Sequence, residues 1–275
     1  MAHPLTPMVA RRALAYTLRQ LREQRELTIY QVADAMEWSY SKASRIENAQ
    51  VTISGSDLRP LLAYYGVKDR QEIDRLVGYS RASRYRSWLS RDPLPPGVLE
   101  LAEVEATAVD LLWWAPMTIP EPLQTDGYAE ALRQAQAGRP PSDLRKAVPG
   151  PDSSARRRVE FERRDTGTAT FVLDEAALRH AWGAPAPVVR EQVDYLHHVD
   201  ATPGVEIWIN PFDGGLPPMY GMRAVAVHDV LPMAFAELAY GVEIRVDPEE
   251  IDRSRDRINA SRAAATRLRD FRPAP

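Results

Sequence analysis

The feature that most constrains this chain is a pair of helix starts set eleven residues apart, at Thr28 and Ser39. Thr28 is followed three residues later by Gln31, the reciprocal pattern in which each side chain satisfies an orphan backbone N–H of the first turn. The helix that begins there carries Val32, Ala33 and Met36 inward and stops near Glu37 and Trp38, because Ser39 is a fresh cap that opens a further helix through about Asn48. Only about three residues join the two. A connection that short forces steep crossing, and the small methyl of Ala33 permits the close approach. Upstream, Leu14, Leu18 and Leu21 recur at i, i+4 and i+7 while Arg11, Arg12, Arg19, Arg22 and Glu23 fill other faces, which makes one amphipathic helix. Downstream, the pattern predicts helices from Asp57 to Tyr65, ended by Gly66, and from Asp69 to about Ser80. The first part of the chain is therefore expected to be an all-α, five-helix domain.

Net charge over all 275 residues is -3, but it is unevenly spread. Residues 1–90 hold 14 Lys and Arg against 9 Asp and Glu, a surplus of +5, and the remainder holds 21 against 29, a deficit of -8. A basic surplus confined to the helical part suits a polyanionic partner, which the acidic total would otherwise hide. With no cysteine, disulfides, thiolate metal sites and cysteine nucleophiles are excluded. The first residues lack the apolar run of a signal peptide, and no window approaches the roughly 18 to 20 apolar residues of a membrane span, so a cytoplasmic location is expected.

Between about Arg81 and Leu99, basic residues, Ser and three prolines break the periodicity and mark a connector. The organisation expected is a tail over 1–8, the helical domain over 9–82, a linker over 83–103 and a second domain over 104–275. That second domain reads as α+β. A helix is expected from Glu100 to Trp114 and another from Asp126 to Ala137, followed by a Pro-, Gly- and Ser-rich loop from Gly138 to Ser154. Strands are expected at Thr168–Leu173, Val205–Ile209, Arg223–Val227 and Phe235–Ala239, with helices at Glu175–Trp182 and Pro187–Val199 between the first two. Asp247, followed by Pro248 and two glutamates, caps a last helix running to about Asp270.

The string LTIYQVADAMEWSYSKASRIEN, Leu27 to Asn48, resembles the helix-turn-helix of the Xre-type, or phage-repressor-like, family. IPEPLQTDGYAEAL, FVLDEAAL and VEIWINPFDGG resemble the C-terminal domain that accompanies it in actinobacterial, antitoxin-like regulators. The resemblance implies a recognition helix lying in the DNA major groove, where each base pair presents its own donor and acceptor pattern. Carried over by position, Tyr40, Ser41, Lys42, Ser44 and Arg45 would face the bases, with Arg45 the principal reader through guanine O6 and N7. Thr28, Ile29 and Asn48 would face the DNA backbone, and Arg22 with Glu47 would form a structural ion pair. Ile29 stands where the family holds a phosphate-bonding Gln, so that contact is lost. Glu37 stands where the family turn has a left-handed Gly, at a cost on the order of 1 kcal/mol if the backbone is kept.

Other chemistry finds less support in the residues. His197 and His198 are neighbours on one helix, about 100° apart with no His at i+4, which favours ordinary histidines over a metal site. Gly214-Gly215 lacks the Lys-Ser/Thr of a phosphate loop and reads as a turn. Pro217-Pro218-Met219-Tyr220 has only the outline of a proline-rich docking motif. Trp113, Trp114 and Tyr128 read as core before pocket. No serine sits in a nucleophile-elbow pattern and no glutamate pair has a spacing that proves acid–base partnership, so neither an enzyme nor a cofactor is expected. The expectation is a homodimeric regulator of double-stranded DNA whose second domain senses a ligand or a partner protein, since two-fold pairing multiplies the few base pairs one helix reads. Its rival is an antitoxin-like module that sequesters a small protein encoded beside it and regulates its own operon.

Overall fold

The computed structural model describes residues 6–85, 96–137, 158–159, 161–162, 167–227, 231–238 and 241–272. The chain divides into two compact units, residues 1–90 and 91–275. Among the described residues no helix is long and apolar enough to cross a membrane.

Unit 1 is five helices: α1 Pro7–Gln24, α2 Ile29–Ala35, α3 Tyr40–Glu47, α4 Gly55–Tyr64 and α5 Arg70–Ala82. Leu14, Leu18, Val32, Ile46, Leu58 and Leu76 pack one core, with Trp38 lying partly buried against it. Helix starts are fixed by side chains: Thr28, Ser39, Ser54 and Asp69 each accept a first-turn backbone N–H, and Thr28 with Gln31 completes the reciprocal box. The first four helices also end alike. A left-handed residue follows each cap, at Glu26, Glu37, Ala49 and Gly66, with φ of 55°, 54°, 55° and 70°. The next N–H then reaches back to the carbonyl five residues earlier, as Leu27 to Arg22, Trp38 to Ala33, Gln50 to Arg45 and Val67 to Leu62. Sequence had singled out only one of the three non-glycine positions. Glu37→Gly, at an exposed site, is expected to stabilise unit 1 by about 1 kcal/mol, seen as a higher denaturant midpoint at unchanged slope.

Unit 2 is built on a seven-stranded mixed sheet. Its elements are α6 Pro96–Thr107, β1 Ala108–Ala115, a short 3-10 turn Glu121–Leu123, α7 Asp126–Ala137, β2 Thr168–Asp174, α8 Glu175–Arg179, α9 Ala186–Asp200, β3 Val205–Asn210, β4 Met222–Val227, β5 Leu231–Leu238, β6 Gly241–Arg245, α10 Pro248–Ala263 and β7 Thr266–Arg267. Strand order is β6-β5-β4-β1-β2-β3-β7, with β1, β2 and β3 parallel and all other pairs antiparallel. Trp114, Val172, Met222 and Ile258 of α10 share a core on one face. On the other, Trp113 lies opposite Phe171 and Arg223 in the register.

Several expectations change here. The helix expected from Glu100 to Trp114 stops at Thr107, and Ala108–Ala115 is the central strand of the sheet. Five consecutive residues, Leu111 to Ala115, are buried, so the strand loses the alternation that would have marked it and mimics a buried helix. The last helix ends at Ala263 rather than near Asp270, because Thr266–Arg267 pair with β3. The strand expected at Phe235–Ala239 begins at Leu231, and the short edge strand Gly241–Arg245 went unread. The helix expected to Trp182 ends at Arg179. Helix α1 starts at Pro7, inside the stretch read as tail, and α6 starts at Pro96, inside the stretch read as linker. The loop expected over Gly138–Ser154 lies outside the described residues. Trp113, Trp114 and Tyr128 are buried core.

Candidate nucleic-acid interface

The turn between α2 and α3 determines how α3 is presented. Met36 closes α2, Glu37 turns left-handed, and Trp38 drops onto the core while its N–H returns 2.8 Å to the carbonyl of Ala33. Ser39 then caps α3 by accepting the Lys42 N–H at 3.1 Å. Ala43 and Ile46 face the core. Ser41, Arg45 and Asn48, at i, i+4 and i+7, form an exposed row, with Tyr40 exposed and Ser44 half-buried beside it.

Within that row Arg45 makes no ion pair among the described residues, and the neighbours at i±3 and i±4 (Ser41, Lys42, Asn48 and Ala49) include no acid. Its guanidinium is available to a ligand. Asn48 is committed to its own helix, its amide donating to the Ser44 carbonyl at 2.9 Å and the Ser44 hydroxyl at 3.2 Å. Lys42 is set apart from the other four positions. Its ammonium lies 3.1 Å from Asp57 of α4 and 4.3 Å above the Trp38 ring, so it ties α3 to α4 across the turn. Ile29 is half-buried, and Thr28 is exposed with its hydroxyl engaged by Gln31.

Sequence reasoning missed Tyr30. Its ring is 70% exposed and stacks on Tyr40, 47% exposed, with centroids 4.6 Å apart and planes at 22°. The pair joins the first turns of α2 and α3 on the solvent side. An aromatic immediately after Ile29 was the available signal, but a stack between residues ten apart has no helical periodicity to reveal it.

Behind the row, Arg22 and Glu47 hold α3 in place. The Arg22 Nε donates to both Glu47 oxygens, at 2.8 and 3.0 Å, and Nη1 donates to the Leu27 carbonyl at 2.7 Å. One guanidinium thus fastens α1, the α1–α2 turn and the last residue of α3. Burial works to lower the Arg22 pKa, and the Glu47 carboxylate outweighs it and holds the value above normal. Burial first, and then the same carboxylate, push the neighbouring Tyr65 phenol up. Among the described residues no group of three or more His, Cys, Asp or Glu is placed to hold a metal.

Residues 13–76 match a helix-turn-helix domain model, spanning the α1–α5 region just described. Residues 98–270, more than half of the chain, match the model described as Domain of unknown function (DUF5753). The chain belongs to the DUF5753 family. The DUF5753 match runs from within α6 to the turn after β7, so it takes in the whole sheet of unit 2. No curated protein and no solved structure matches the chain. In this DUF5753 member the helix-turn-helix occupies unit 1, which points to a DNA-binding regulator.

Proposed function

We propose that the chain is a cytoplasmic, sequence-specific transcription regulator of the Xre type, acting as a homodimer that lays α3 in the major groove of a partly palindromic operator. The observation that carries this reading is the exposed row Ser41, Arg45 and Asn48, raised on a side-chain-capped helix that four residues join to its predecessor, in a basic unit. Arg45, without an acid partner, supplies the base reading by a bidentate contact to guanine O6 and N7. Tyr40, Ser41 and Ser44 line the groove beside it. Thr28, Tyr30 and the first-turn amides of α2 face the phosphates, and the Tyr30 hydroxyl takes the anchoring task that Ile29 cannot perform. Lys42, held by Asp57, contributes charge at the edge rather than a base contact. Unit 2 acts as the sensing arm, and the function requires no catalytic step.

Selection of bound duplexes from a random library tests this reading. The expected result is two inverted half-sites whose centres are separated by about 10 base pairs or a small multiple, because two recognition helices related by a dyad meet the groove one turn apart. Enrichment of an unpaired half-site would remove the homodimer, and no enrichment at all would remove sequence-specific binding.

A further inference from the structure

The parallel strands β1, β2 and β3 end together at Ala115, Asp174 and Asn210, the edge at which open α/β sheets hold ligands. The segment 211–221 crosses this edge. It is pinned from below by the buried Trp114, whose indole N–H donates to the Pro218 carbonyl at 2.9 Å. It also passes close to Asn210, since a Cβ at Gly214 would stand 2.9 Å from the Asn210 amide oxygen. Between this segment and α10 lies a cleft of about 470 Å³, within the range of small-molecule sites.

The two walls of the cleft differ in chemistry. One carries Pro217 and Pro218, with Leu216 and Met219 at 96% and 88% exposure, an arrangement that leaves large apolar side chains in water unless something lies against them. The other carries Arg257, whose Nη1 is 3.5 Å from the Tyr220 hydroxyl. Arg257 has no carboxylate partner among the described residues. Its helical neighbours at i±3 and i±4 are Arg253, Ser254, Ala260 and Ser261. The same Tyr220 hydroxyl also faces Arg245, which has one carboxylate partner, Glu243 at 2.9 Å. Two guanidiniums thus flank one phenol, and only Arg245 has a carboxylate, in the part of the chain, residues 91–275, whose net charge is -8.

We infer that this cleft binds a small carboxylic acid with an alkyl or aromatic body: the carboxylate pairs with Arg257 and the Tyr220 hydroxyl, and the body lies along Pro217, Pro218, Leu216 and Met219. Arg presents a planar fork that matches a carboxylate, and Asn210, 2% exposed, supplies the polar floor. The inference does not depend on DNA binding, because occupancy is measured on the protein alone.

Titration calorimetry of the full chain with phenylacetate, octanoate and indole-3-acetate tests it, with 2-phenylethanol as the body without the charge and inorganic phosphate as a charge without the body. At least one acid is expected to bind in the micromolar to millimolar range, and the alcohol and phosphate at least about tenfold more weakly. Arg257→Gln, a change at an exposed helix position whose fold is checked by circular dichroism, is expected to weaken the acid about tenfold or more. The double change Leu216→Ser with Met219→Ser is expected to weaken it about fivefold. Failure of all three acids at millimolar concentration overturns the inference. So does an alcohol that binds as well as its acid, or an Arg257→Gln protein that binds like the parent.

Discussion

Arg223→Ala is expected to destabilise unit 2 by roughly 4 kcal/mol, and to lower its calorimetric melting temperature by roughly 8–16 °C. Arg223 is 1% exposed on β4, its guanidinium stacked 3.5 Å over the Trp113 ring. Its Nε lies 2.8 Å from the Glu105 carboxylate, which is 6% exposed, in a contact that is close but not aligned as a hydrogen bond. Nη1 donates to Glu237 at 2.6 Å, and Glu121 stands 3.8 Å away. Removing the arginine leaves Glu105 buried beside a void under Trp113, while Glu237, nearly half exposed, turns to water. The cost therefore comes from the lost stack on Trp113 and from the buried Glu105 carboxylate losing its nearest cation. That argument has a sharp corollary. Arg223→Met combined with Glu105→Leu removes both charges and keeps the volume, so it should recover most of the loss, whereas Arg223→Met alone should not. A double variant as unstable as the single one would show that packing, and not the loss of the arginine beside Glu105, sets the cost.

The second large effect is expected at Glu47→Ala in unit 1, about 2–3 kcal/mol and roughly 10–20 °C in melting temperature for a domain of this size. The side chains of Arg22 and Glu47 are 12% and 9% exposed. Without Glu47 the Arg22 guanidinium keeps the Leu27 carbonyl and a 3.3 Å contact to Glu23, which is why the loss falls below that of a wholly buried pair. Because this pair is what fastens the end of α3 to α1, operator affinity should fall even at temperatures where the variant is folded. Glu47→Gln, which keeps hydrogen-bond acceptance without the charge, should lie between. Unchanged operator affinity in folded Glu47→Ala would mean that the pair stabilises the domain without positioning α3 for the proposed contact.

What could be read from the sequence follows the range of the interactions concerned. The caps at Thr28 and Ser39 and the turn at Glu37 are decided within five residues, and these are the features the sequence reading placed well. Strand β1 is different. Leu111 to Ala115 are buried because β2 and β4 flank them on both sides, and the partners lie over fifty residues away, so the local pattern of Trp113 and Trp114 could not separate strand from helix. The edge strands β6 and β7 are short and owe their existence to β5 and β3. At the interface the same rule holds. Helical spacing puts Ser41, Arg45 and Asn48 on one face, while the turning of Lys42 towards Asp57, fifteen residues on, depends on how α4 packs. The Tyr30–Tyr40 stack likewise needs the crossing of α2 and α3 before it exists.

The central claim is that α3 reads base edges through Arg45, and it is tested most directly by comparing the parent and Arg45→Ala on the selected operator and on a scrambled duplex at several salt concentrations. The account predicts that Arg45→Ala loses roughly 1–3 kcal/mol of discrimination, a factor of about 5 to 150, while non-specific affinity and its salt dependence change little. An Arg45→Ala protein that binds the operator as tightly as the parent would contradict it.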